Sequence, residues 1–274
     1  MRFFNFLQQK RKENILKPFD LVYLYLIGGL IGTIYEEIFY LITINKFVNS
    51  SGSVILPFNM VYGLGIVLIT FCFYQVSNWL LIWLFSGILC GTVEFISSFL
   101  SEKTMHVISW DYSDKIMNLN GRTTIPLMVL WGLAGMVIIV LIVPFLLKLI
   151  HKIPDKVYNV LALIFLVMIV FDLVISFLAV FRYSQRYHQQ DSNNEIMKLI
   201  DKLFDDNYMK EKFPNLKFIY FKINGLIFIY KIILSWYYFH VSALIVEDNM
   251  KKSIKVLSGL LLMTTLFSCG NENS

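Results

Sequence analysis

The chain has 274 residues, 57% of them hydrophobic and only 16% charged, whereas soluble domains carry roughly a quarter charged side chains. From Phe47 through Val93, and again from Thr123 through Leu147, there is no Asp, Glu, Lys or Arg. A membrane span takes about 20 apolar residues, so these stretches exclude soluble, fibrous and disordered classes, and the net charge of +5 sits at the ends of apolar runs, with no nucleic-acid footprint.

Taken in order, the apolar runs predict an all-α fold, a polytopic transmembrane helical bundle with five spans at about 20–45, 56–77, 79–100, 124–147 and 157–181. Residues 1–19 are a basic segment (Arg2, Lys10, Arg11, Lys12, Lys17), which the positive-inside rule places in the cytoplasm of a bacterial inner membrane. Alternation then puts Lys148, Lys152 and Lys156 inside as well and the loop 101–123 outside, with a tight inner turn at Ser77 and Asn78. After the bundle at 20–181 comes a polar segment, 182–217. Its Ile196, Leu199, Ile200, Leu203 and Phe204 recur at helical spacing, an amphipathic helix that lies on the membrane or against the bundle.

Residues 218–249 turn apolar again, broken by Lys222 and Lys231, and read either as a sixth span at about 223–246 or as translated spacer. The tail 250–274 has the anatomy of a bacterial lipoprotein signal. Met250, Lys251 and Lys252 precede an apolar run that ends in Leu266-Phe267-Ser268-Cys269, which makes Cys269 a lipidation candidate. Cys72 and Cys90 fall inside spans, where thiols pack as small apolar groups.

The spans share a grammar. Gly29 and Gly32-Thr33-Ile34 precede Glu36, as Gly87 and Gly91-Thr92-Val93 precede Glu94. Pro57 and Tyr62-Gly63-Leu64 open the second span as Pro126 and Trp131-Gly132-Leu133 open the fourth. This suggests a parallel repeat of helices 1–2 and 3–4 about an axis along the membrane normal; the bland reading is that both pairs obey the same helix-contact rules.

Four ionisable groups stand out. Glu36, Glu94 and Asp172 lie within spans, and an acid at a helix centre costs roughly 3 kcal/mol to insert, so it faces a bundle interior, a partner or a pathway. With the N-terminus inside, all three fall in the outer half of the bilayer, and Arg122 starts the fourth span on the same side. The expectation is that they converge on one outward-facing substrate or proton site, roofed by a loop rich in hydrogen-bonding groups that includes Trp110, Asp111, Asn118 and Asn120. The rival is a structural ion-pair cluster that locks the bundle. No Cys or His cluster has metal-ligand spacing, and no phosphate loop is present, so neither a metal nor another cofactor is implied.

Gly28-x3-Gly32-x3-Glu36, Tyr62-Gly63-x-Gly65, Glu94 with Ser98, and above all Trp110-Asp111-Tyr112-Ser113 with Asn118-x-x-Gly121-Arg122 and Trp131-Gly132, carry a family resemblance. The chain resembles the putative ABC-transporter type IV permeases, the CmpB-like bacterial membrane proteins. Arg182-Tyr183-x-x-Arg186, Phe204-x-Asp206 and Phe213-Pro214-Asn215 extend the likeness, which covers about 20–217. Leu56-Pro57, Met60 and the neighbourhood of Ile116 depart from the family's proline pattern. The resemblance implies a membrane permease with membrane lipids as surroundings and a separate ATPase subunit as partner. The inner loops, 77–78 and 148–156, offer no evident coupling helix for one. The expectation is therefore a transporter or permease component; an enzyme acting on a lipid or headgroup substrate and a non-catalytic scaffold are the rivals.

Overall fold

The computed structural model describes Arg11, residues 15–192 and residues 194–219. The expectations for 223–246 and for the tail with Cys269 lie outside the described residues. From residue 15 the helices run α1 (Asp20–Ile44), α2 (Met60–Phe73) and α3 (Trp79–Leu100), which runs on through a π-turn to Met105. Next come α4 (Ile125–Val137) and α5 (Val143–Ile150), joined by a second π-turn into one rod, then α6 (Asp155–Tyr187), α7 (Glu195–Leu203) and α8 (Asp206–Lys212).

The strands are two-residue fragments. β1 (Val107–Ile108) pairs antiparallel with β4 (Lys217–Phe218), and β2 (Asn118–Leu119) pairs with β3 (Thr123–Thr124). They pin the segments at one end of a helical bundle.

Side-chain caps explain where most helices start. Asn59 accepts the amides of Val61 and Tyr62 at the head of α2, and Asn78 those of Leu80 and Leu81 at the head of α3. Thr124 caps α4 through Leu127, with Pro126 in the first turn, where its missing N–H costs nothing. Asn194 and Asp205 cap α7 and α8. Asn45, in the left-handed conformation at φ 53°, ends α1.

Among the described residues four helical segments are long and apolar enough to cross a membrane: Asp20–Ile44, Trp79–Met105, Ile125–Ile150 and Asp155–Tyr187. The second expected span, 56–77, is shorter than its composition suggested. It forms a 14-residue helix, about 21 Å at 1.5 Å per residue against a hydrocarbon core of about 30 Å. Residues 45–59 take up the missing length as a folded segment, with Ser50, Ser51, Ser53, Val54 and Asn59 buried. The charge-free run that read as two adjoining spans thus contains an apolar but non-helical stretch.

Neighbours in sequence are neighbours in space: α1 packs on α2, and α3 on α4. The main core (Leu24, Ile82, Ile139, Val143, Leu147, Ala162) lies toward the end where α1 begins. A second core at the opposite end joins Val54, Val107, Ala179 and Val180 to Ile200, Phe204 and Met209. The amphipathic helix therefore lies against the bundle through Ile200 and Phe204, while its Ile196, Leu199 and Leu203 stay exposed. Exposed Ile31, Ile34, Ile38 and Ile42 on α1, and Val160, Leu163, Val167 and Val174 on α6, form the outer apolar surface of a multi-pass membrane protein.

Candidate functional site

Glu36 lies late in α1, one end of its carboxylate accepting the Tyr62 hydroxyl at 3.1 Å and the other the Asn59 amide at 3.2 Å. Asn59 has three jobs. It caps α2, its side-chain amide also donates to the Ser50 carbonyl at 2.9 Å, and its backbone amide donates to the Gly29 carbonyl at 3.1 Å. Tyr62 reaches Glu36 because Gly32 clears the way: a Cβ there would sit 2.3 Å from the Tyr62 ring.

Glu94, late in α3 and buried, is held in a matching way by the start of the following helix. Thr123 donates to it at 2.7 Å and the Tyr112 phenol at 3.2 Å. Burial, and then the negative charge of Glu94, push the Tyr112 phenol well above its ordinary range, so it is a fixed donor. Among the described residues neither Glu36 nor Glu94 forms an ion pair.

Between α2, α3 and α4 lies an apolar pocket of about 70 Å³ whose wall includes Glu94, Tyr62, Trp131 and Cys90. The Tyr62 and Trp131 rings meet nearly perpendicular, 5.6 Å between centroids. Tyr62 thus bonds Glu36 with its hydroxyl and lines the Glu94 pocket with its ring.

The other residues expected at the site have different partners. Asp172, buried on α6, holds the 53–56 segment: it accepts the Ser53 hydroxyl, the amides of Ile55 at 3.2 Å and Leu56 at 3.4 Å, and the Ser176 hydroxyl at 3.5 Å. Arg122 pairs with Glu102 and lies over the Phe95 and Phe99 rings at 5.4 and 5.5 Å, so it neutralises neither Glu36 nor Glu94. The expected convergence of four groups therefore reduces to two.

The loop bonds to itself. Trp110 donates to the Arg122 carbonyl at 2.8 Å. Asn118 accepts from Gly121 and donates to the Ser113 and Lys115 carbonyls. Exposed Asp111 takes the Ser113 hydroxyl and amide, which hold its carboxyl below the usual range. Exposed Asn120 has φ 51° and carries the turn into Gly121, at φ 68°.

Two further clusters escaped the sequence reading. At the end where α1 begins, fully buried Asp20 accepts from Tyr158 at 2.9 Å, from the Lys17 amide at 2.7 Å, and meets His151 Nε2 at 2.9 Å. At the opposite end Asp201 receives Arg182 at 2.6 and 3.0 Å and also Arg186, which reaches Asp206 at 2.7 Å. Partial burial works against the charge, but the two guanidiniums prevail and hold the Asp201 carboxyl below its ordinary value. The Arg-x3-Arg spacing was the available signal: it puts both guanidiniums on one face of α6.

The model of the family described as Putative ABC-transporter type IV matches residues 23–177. A search among curated proteins and another among solved structures found no match. The matched region takes in both hairpins, Glu36, Glu94, the 109–122 loop and Asp172.

Proposed function

The chain belongs to the Putative ABC-transporter type IV family, and we propose that it is a membrane-embedded transport component whose site is the Glu36–Glu94 pair. The observation that carries this reading is the pair itself. Two carboxylates at membrane depth, bonded by neutral donors and joined to no cation among the described residues, flank a pocket they share through Tyr62. Asp172, by contrast, is bonded by four donors of the fold and does not line the pocket.

The direction of opening is taken from the basic N-terminal segment and the 148–156 loop. Arg11, Lys17, Lys148, Lys152 and Lys156 gather at the end where α1 begins, which favours that end as cytoplasmic. The pair then lies in the outer half of a bacterial cytoplasmic membrane, beneath the loop that contributes Tyr112. A family of ABC type implies a separate ATPase subunit on the inner face.

Equivalent contacts support the parallel repeat of helices 1–2 and 3–4. A Cβ on Gly29 would meet the Asn59 carbonyl, three residues before Tyr62, and one on Gly87 would meet the Met128 carbonyl, three before Trp131. Gly63 and Gly132, each following that aromatic, abut Tyr25 and Trp83, each eleven residues before its glutamate. A site between two similar hairpins suits alternating access.

Side-specific thiol labelling tests the reading. Cys90 lines the pocket, while Cys72 is exposed on the bundle surface. A membrane-impermeant thiol reagent added outside sealed, oriented vesicles is expected to modify Cys90, and the same reagent trapped inside is not. Absence of modification from either side would make the pair a dry structural lock.

A further inference from the structure

We propose that the pocket binds an organic ammonium group, with its positive head on Glu94 against the Tyr62 and Trp131 rings and a short apolar body beside Cys90. The inference rests on the transport reading of this site and names what it takes. A carboxylate buried at membrane depth needs a proton or a cation to balance it. Among the described residues the arginines around this region are committed elsewhere: Arg122 to Glu102, Arg182 and Arg186 to Asp201. Aromatic faces attract ammonium ions, most strongly when water is excluded, and here the Tyr62 ring lines the pocket nearly perpendicular to the Trp131 ring, whose indole N–H is turned to the acid. An inorganic cation would want a shell of oxygen ligands, whereas most of this wall is aliphatic or aromatic.

Ammonium groups come from free amines or from aminophospholipid headgroups, and one experiment separates them. Protein with Cys72→Ser and Cys269→Ser, which leaves Cys90 as its thiol, is placed in phosphatidylglycerol vesicles. Its modification by cationic aminoethyl and anionic sulfonatoethyl methanethiosulfonate is followed by mass spectrometry. The surface ratio comes from Cys72 in a Cys90→Ser, Cys269→Ser protein. The cationic reagent is expected to be favoured at Cys90 about tenfold beyond that ratio, and Glu94→Gln to remove the preference.

In the same vesicles butylammonium is expected to slow the reaction where butanol and butyrate do not, a comparison that needs no site variant. Protection by phosphatidylethanolamine in the vesicles, with none from butylammonium, would also support an ammonium site and assign it to the lipid. Equal rates for both reagents, or protection by butanol as good as by the amine, would overturn the ammonium assignment while leaving a wet site in place. Failure of both reagents to reach Cys90 would overturn the assignment together with the transport reading.

Discussion

Replacing Asp172 with alanine separates its role from that of the glutamates. The carboxylate accepts four donors from within the fold: the hydroxyls of Ser53 and Ser176 and the amides of Ile55 and Leu56. Asp172→Ala leaves at least the fully buried Ser53 hydroxyl and the partly buried Leu56 amide without this partner. Stranding a buried donor costs about 1–3 kcal/mol, and more when its partner was charged. Water reaching the loosened segment would recover part of that, so the net loss is about 3 kcal/mol. Asp172→Asn keeps a neutral acceptor and should lose about half as much.

Thermal unfolding in mild detergent, followed through Trp fluorescence, gives the order wild type, Asn, Ala. Limited proteolysis should find new cuts within 45–59 in the alanine variant before global unfolding. An unchanged transition with an intact 45–59 segment would refute the view that Asp172 holds this segment in place.

Other outcomes follow from the same contacts. Asp201 titrates below its ordinary value of 3.8 in the folded chain, so its contribution is fully present above that ordinary value and is lost as pH falls through the depressed one; with the intrinsic pH dependence of amide exchange divided out, the protection of 195–212 should be level from about pH 5 to 7 and fall as the pH drops below 3.8. Gly87→Ala brings a Cβ to 2.4 Å from the Met128 carbonyl, whereas Gly29→Ala meets Phe58 Cβ at 3.1 Å and the Asn59 carbonyl at 3.2 Å, so the first should destabilise the bundle more in the same thermal assay. Arg122→Lys keeps the charge but loses the flat guanidinium over Phe95 and Phe99; a loss of about 1 kcal/mol is expected, with Glu94 labelling chemistry at Cys90 unchanged.

The helix limits were legible because lipid imposes them: long apolar runs with few charges gave α1, α3, the α4–α5 rod and α6 within a few residues at most ends. The 45–59 segment was not, because an apolar composition says nothing of helicity once the protein itself satisfies the backbone. Ser50-Ser51-Gly52-Ser53 was the available turn signal. Glu36 and Glu94 were found as acids within spans, but their partners Asn59, Tyr62, Tyr112 and Thr123 depend on which helix starts abut which helix ends. Arg122 was assigned to the wrong acids. Phe95, Phe99 and Glu102 form a stripe at i, i+4 and i+7 on α3 and its π-turn that suits a guanidinium, and only the fold reveals that the loop lays Arg122 along it. Asp20 was passed over because it stands at a helix start, where an acid is ordinary.

The account stands or falls on whether Glu36 and Glu94 meet water. Infrared difference spectra of the reconstituted protein, with the carboxyl bands assigned by their loss in Glu36→Gln and Glu94→Gln, measure this directly on transfer from H₂O to D₂O. Both bands are expected to shift on rapid exchange, together with the Tyr62 and Tyr112 signals coupled to them, while the Asp172 band lags. Glutamate bands that stay as slow as that of Asp172 would mean a dry, fully structural pair and would contradict the transport site.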